Sequence, residues 1–197
     1  IRTWNILKFL AQRADVDLIC LADEPVTFET QAALESVTKR LAIIPHTGNL
    51  RYFRGAISMA SGRTVTEGLF ESAALKTVVQ QWGQTAKYTA AMASSSGIAR
   101  YIQPPILKHH GNVWIDLIDV DSQKWLDYST SSAFPMSLVY GLEGRRLRHL
   151  ESRLARTTDR LLVVSDAERE LFSNFCENAP IQAIGNGVDT EYFAPAQ

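Results

Sequence analysis

Apolar residues along this chain gather in short unbroken runs, separated by longer stretches in which they recur every three or four positions. The clearest runs are 16–22, 113–118 and 161–164, which read Val-Asp-Leu-Ile-Cys-Leu-Ala, Val-Trp-Ile-Asp-Leu-Ile and Leu-Leu-Val-Val. Runs of this kind suit parallel strands covered on both faces better than half-exposed antiparallel ones. Weaker strand candidates lie at 88–93 and 181–184, with a short one at 42–44. Between them, 29–40, 50–60, 67–81, 97–103 and 135–157 carry helical spacing. Ser165 and Glu168 stand at capping-box distance and predict a helix through Phe175. Strand-then-helix alternation of this kind predicts an α/β fold with a Rossmann-like, doubly wound parallel sheet.

The opening residues complicate that pattern. Ile1 to Leu10 already reads as the middle of an amphipathic helix, with no strand ahead of it. The expectation is a domain whose first strand lies upstream of Ile1.

Parallel sheets of this type bind ligands beyond the carboxyl ends of their strands. The segments to inspect are therefore Ala22-Asp23-Glu24-Pro25, Ser94-Ser95-Ser96-Gly97, Asp119-Val120-Asp121-Ser122, Ser165-Asp166 and Gly185-Asn186-Gly187. Each is polar or contains glycine. Asp119 and Asp121 are the strongest candidates, because two carboxylates one residue apart on extended chain point to the same side. They could accept hydrogen bonds from sugar hydroxyls, act as a general base, or hold a hard cation. The structural alternative makes Asp121 or Ser122 the cap of the helix starting at Gln123-Lys124-Trp125. Ser95, Ser96 and Gly97 precede a predicted helix whose free amides could receive a phosphate or hydroxyl, with an ordinary serine cap as the alternative. Lys124 could neutralise an anionic group nearby.

Composition narrows the classes. The 197 residues carry a formal charge of −1, which gives no global attraction to nucleic acid. The two cysteines, Cys20 and Cys176, make no disulfide framework, and a reducing cytoplasm fits them. No apolar run approaches the length of a membrane span. Glycine-rich dinucleotide or P-loop motifs, a Gly-x-Ser-x-Gly elbow and zinc-type spacing do not occur. His109-His110-Gly111 reads as an exposed loop, since no partner spacing supports a metal.

The order of pieces over about 113–195 adds a resemblance. Asp119-Val120-Asp121-Ser122-Gln123-Lys124-Trp125 runs into a long helix with Tyr140, Glu143, Arg146-Leu147 and Glu151. Asp159, Val164-Ser165, Ala167-Glu168, Asn186-Gly187-Val188-Asp189 and Phe193-Ala194-Pro195 follow. Together with Ser94-Ser95-Ser96-Gly97-Ile98-Ala99-Arg100-Tyr101, this resembles the N-terminal half of bacterial group-4 exopolysaccharide sugar transferases, retaining enzymes of the two-domain GT-B architecture.

The resemblance implies an acceptor-side domain over 1–184, the start of an interdomain linker over 185–197, and a second domain that holds the nucleotide-sugar donor. It implies a glycan or lipid-linked sugar as acceptor and no cofactor. Asp119 and Asp121 stand where many relatives carry a histidine that contacts the donor sugar, so position carries over and residue type does not. The rivals are a metal-dependent transferase using Asp119 and Asp121 as its cation site, and a non-enzymatic doubly wound module that binds a ligand.

Two features of the long helix need separate readings. Glu143 and Glu151 have the spacing of the donor motif of the second domain, but the glycine-rich lead-in is missing. They read instead as parts of a charged surface helix, with Glu151 paired to Arg148. The arginines at 145, 146, 148, 153 and 156 read first as a solvated face. The functional alternative is weak peripheral contact of Arg145, Arg148 and Arg156 with the inner face of the membrane, each worth about 1 kcal/mol near an anionic surface.

Overall fold

The computed structural model describes residues 2–107 and 111–187. The loop reading of His109 and His110, and the tail from Val188 onward, lie outside the described residues.

The elements follow the predicted alternation. Helix α1 (Arg2–Ala11) leads to β1 (Asp17–Ala22), α2 (Phe28–Glu35) and β2 (Arg40–Pro45). Then come α3 (Leu50–Ala60), α4 (Val65–Leu69), α5 (Ala73–Thr85), β3 (Ala90–Ala93) and a 3₁₀ turn over Ala99–Ile102. The second half holds β4 (Asn112–Ile118), α6 (Asp121–Ser131), α7 (Met136–Thr157), β5 (Arg160–Val163), α8 (Asp166–Ser173) and β6 (Ile181–Ala183). All strand pairings are parallel.

The strands do not form one sheet. Among the described residues β1 pairs only with β2, while β3, β4, β5 and β6 pair in sequence order in a second sheet. Among the described residues no backbone hydrogen bond joins the two. Apolar runs report that a segment is a strand, but pairing is set by neighbours far away in sequence, and this difference was invisible in the pattern.

Three boundaries also moved. The helix expected over 29–40 stops at Glu35, and Arg40 already begins β2. The stretch 67–81 is two helices, because the Ser72 hydroxyl accepts from the Leu75 amide and starts α5 afresh. The stretch 97–103 narrows to the short 3₁₀ turn.

The larger core lies on the face of β4 and β5 that carries Ile115, Leu117, Leu161 and Val163, under Leu147, Leu150 and Leu154 of α7 and Phe172 of α8. A second cluster lies under Leu75 and Val79 of α5, where Ile19 and Leu21 of β1, Ile44 of β2 and Ala91 of β3 pack beside Tyr101. That shared cluster ties the two sheets together through side chains. Near its edge, the Tyr88 hydroxyl donates to Asp17 Oδ2 at 2.7 Å while Arg40 pairs with the same oxygen. Burial pushes the Asp17 carboxyl up, but these bonds outweigh it and hold it below its ordinary value. Burial, with Asp17 beside it, pushes the Tyr88 hydroxyl up to about 12.

Helices α6 and α7 form a tight antiparallel hairpin. A Cβ at Gly144 would lie 2.8 Å from Leu126 Cγ, so only glycine permits that approach. Trp125 and Tyr128 of α6 meet Tyr140 of α7 at the same seam in edge-on and tilted contacts, with ring centroids 5.3 Å apart for Trp125 and Tyr140.

Candidate functional site

β3, β4 and β5 are adjacent and parallel, so their carboxyl ends share one rim. That places Ser94 to Gly97, Asp119 to Lys124 and Ser165 on three consecutive strand ends. The β4 end is irregular. Register shifts between Asp116 and Ile118 against β5, and Ile118 adopts φ +70°, a left-handed conformation that a β-branched residue rarely takes. Such strain persists only where surrounding bonds over-determine it.

Those bonds are identifiable. The Val120 amide donates to Glu168 of α8 at 2.6 Å, and the Ser122 amide donates to Glu151 of α7 at 3.1 Å. Val120 occupies the cap position of α6 and makes no side-chain cap bond. Two distant carboxylates therefore do the work expected of a local cap. This corrects the reading of Asp121 or Ser122 as that cap: Asp121 is the first helical residue and the Ser122 hydroxyl is buried without a partner.

Freed from capping, the two aspartates face outward. Their side chains are 44% and 35% exposed, and Lys124 lies between them at 3.8 Å from Asp119 and 3.3 Å from Asp121. Burial alone would lower the Lys124 ammonium, but the Asp121 and Asp119 carboxylates raise it, so it stays charged. The cluster offers carboxylate acceptors around one cation on an open surface. It does not offer first-turn α6 amides to a phosphate, because those of Asp121, Ser122 and Gln123 donate to the Asp119 carbonyl, the Glu151 carboxylate and the Val120 carbonyl.

The serine segment is more enclosed than expected. Ser95 Oγ accepts from the Gly97 amide at 3.1 Å, which occupies the donor that a ligand would have used. Ser96 is buried with its hydroxyl unpartnered. A Cβ at Gly97 would lie 2.5 Å from the Phe70 ring, so this glycine serves packing. Ser94 and Ser95 are half-buried, and the Ser94 hydroxyl lies 3.3 Å from that of Thr3.

Arg2 was missed by sequence reasoning. Its guanidinium grips the buried Asp116 carboxylate at 2.8 and 3.0 Å, and also donates to the Ile184 carbonyl and the Asn186 side chain. It fixes the chain leaving β6 against the middle of β4. The internal aspartate of the apolar run 113–118 was the available signal, since a charged residue there demands a partner.

The Glu143 and Glu151 reading needs correction. Neither is on a charged surface, and Glu151 makes no hydrogen bond to Arg148. Glu143 is 1% exposed and accepts from the Val65 amide, the Thr66 amide and the Thr66 hydroxyl at 2.7, 3.0 and 3.0 Å. Glu151 is fully buried, and one of its oxygens has no partner. Burial, assisted by Asp121, pushes its carboxyl from the ordinary 4.5 up to about 7 against the opposing bond from Ser122.

The arginines are also divided. Arg148 donates to Gln123 and covers the Phe175 ring, and Arg146 donates to the Arg63 carbonyl at 2.9 Å. Arg145 and Arg156 remain exposed.

Among the described residues no cluster of three or more His, Cys, Asp or Glu side chains could hold a metal ion. No helix among them is long and apolar enough to cross a membrane. Two open hollows, of about 580 and 540 Å³, lie away from the rim: one beside Lys8, Asp15 and Lys39, the other on the sheet face around Trp114, Leu162 and Ile184. Compared with protein-family models, curated proteins and solved structures, the chain finds no match.

Proposed function

We propose that this chain is the acceptor-binding, Rossmann-like half of a retaining GT-B glycosyltransferase, working in the cytoplasm at the inner face of the membrane. The observation that carries the reading is the outward-facing Asp119, Asp121 and Lys124 cluster at the carboxyl end of a parallel strand, the place where open α/β sheets take their ligands. Carboxylates freed from capping suit the hydroxyls of a sugar, and the ammonium between them suits a phosphate that links a sugar to lipid. The nucleotide-sugar donor is held by the second domain that the motif order implies. In the transfer, the bond from the sugar's anomeric carbon to the nucleotide diphosphate breaks and a bond to an acceptor hydroxyl forms. The hydroxyl's proton leaves with the diphosphate or passes to Asp119 or Asp121.

Lys124 also bears on the metal-dependent alternative. It occupies the position between the two carboxylates that a cation would take, which favours a charge-balanced sugar site. Fold alone does not distinguish an enzyme from a binding module.

The test is titration of the isotope-labelled chain with farnesyl diphosphoglucose and, separately, with UDP-glucose and Mn²⁺. Amide signals of Ser94 to Gly97 and Asp119 to Lys124 are expected to move with the lipid-linked sugar, and Asp119→Asn should weaken that binding at least about tenfold. No response to the lipid-linked sugar, or an equal response to UDP-glucose, overturns the reading. Tight Mn²⁺ broadening at Asp119 and Asp121 replaces it with the metal-dependent one.

A further inference from the structure

Arginines crowd around the connector between α4 and α5. The Glu71 carboxylate, on a side chain 45% exposed, stands between Arg63 Nη1 at 3.4 Å and Arg100 Nη2 at 3.9 Å. Arg54 donates to the Glu71 carbonyl at 3.0 Å. Arg63 and Arg153 share Glu67 Oε1 at 3.9 and 3.8 Å. The other oxygen of Glu67 accepts from the Thr64 amide and hydroxyl, so it is already committed to the start of α4. Four guanidiniums therefore gather on two glutamates, and positive charge is in surplus.

The pairing is loose. A well-made arginine–carboxylate pair puts two N–H groups side by side on the acid, at about 2.7–2.9 Å. Every ion pair here is longer, and only the one between Arg63 and Glu71 is a hydrogen bond. Two donors are left over in buried positions: Arg63 Nη2 and Arg100 Nε have no acceptor. Each shares a guanidinium edge with the nitrogen that faces Glu71. Buried polar groups are normally satisfied, so a pair of such orphans beside one carboxylate points to a missing acceptor. Glu71 has only one oxygen for each arginine, Oε2 for Arg63 and Oε1 for Arg100. A tetrahedral oxyanion has oxygens enough for both nitrogens of each edge.

We infer that Arg63 and Arg100, supported by Arg54 and Arg153, form a phosphate-binding site in which the Glu71 carboxylate is a placeholder that a phosphate group displaces. Dianionic phosphate carries more charge than the carboxylate it replaces, so it gains more from the surplus around it. Glu71 lies in the connector outside both helices, and its exposed side chain can swing aside without unwinding either. The inference rests on these arginines alone and stands whether or not the chain is a glycosyltransferase.

The test is titration of the isotope-labelled chain with inorganic phosphate and, separately, with glucose 1-phosphate, at about pH 8 where both are dianions. Amide signals of Phe70 to Ser72 and of Ala99 to Tyr101 should move, while those of Asp119 to Lys124 stay in place. Glu71→Gln should tighten phosphate binding at least about threefold, because a competing charge is gone. Arg63→Gln with Arg100→Gln should weaken it at least about tenfold. Glu71→Gln decides the matter by itself if that double variant does not fold. Equal binding of the two probes supports a site for the phosphate group alone, and tighter binding of the ester supports one for a phosphorylated small molecule. No movement at these amides, or movement confined to Asp119 to Lys124, overturns the inference. So does a Glu71→Gln variant that loses thermal stability without binding phosphate more tightly, which would make the arginines an ordinary ion-pair network.

Discussion

Two helix starts in this molecule are held by carboxylates from the same helix, and they are held differently. At α4, Glu143 meets three donors, and the local Thr64 and Glu67 pair completes a capping box. At α6, Glu151 meets one donor and keeps one oxygen unpartnered. Both carboxylates are buried in the same helix wall. The difference is how fully each is satisfied: Glu143 has a donor on both oxygens, whereas burial pushes the less satisfied Glu151 carboxyl up. The α4 start is a rigid support for α3, the outward-facing helix. The α6 start, beside Asp119 and Asp121, is sensitive to a proton.

The largest effect should come from breaking the anchor. Glu143→Ala leaves three donors unsatisfied in a buried site and should destabilise the chain by about 4 kcal/mol, as read by chemical denaturation. A loss below about 1 kcal/mol would mean that water replaces the carboxylate.

Glu151 sharpens the comparison through pH. Its folded-state carboxyl is raised from 4.5 to about 7, so its contribution to stability is fully present below 4.5 and is lost as pH rises through about 7. Glu151→Gln keeps an acceptor for the Ser122 amide and removes the charge. Between pH 5 and 8 the variant should lose a pH-dependent decline on the order of 3 kcal/mol. Unchanged pH dependence would show that the parent site is already hydrated.

Asp121 links this acid to the rim. Asp121→Asn should weaken binding of the lipid-linked sugar at least about tenfold while altering stability by less than about 0.5 kcal/mol, because Asp121 does not cap α6. The same substitution should lower the titration midpoint of Glu151, followed by the Ser122 amide shift, since the Asp121 charge helps to raise it. A large stability loss would restore the capping reading.

The smallest effect belongs to the local cap. Thr64→Ala should cost about 1 kcal/mol, less than Glu143→Ala, because the distant carboxylate continues to hold the α4 amides. Equal losses would make the local box the main support.

The motif Ser165-x-x-Glu168 illustrates how far such local rules reach. It predicts a helix start, and Ser165 does cap the Glu168 amide. The Glu168 side chain turns to Val120 in the β4 end at 2.6 Å. The element was legible and the use of its carboxylate was not, because spacing constrains a residue's own helix and leaves its far partner open.

The sequence by itself determined which segments are strands and where most helices fall, since runs and three-to-four spacing are local properties. It also marked Asp119, Asp121 and Lys124 as rim residues, because parallel strands share a direction. Tertiary structure decided the rest: two sheets where one was expected, the burial of Glu143 and Glu151, the guanidinium of Arg2 on Asp116, and the outward turn of α3. Helical spacing finds an apolar stripe, but which face is inward depends on the neighbour. Here the close approach of α4 admits only Gly55 and Ser58, and leaves Phe53 and Ile57 outside.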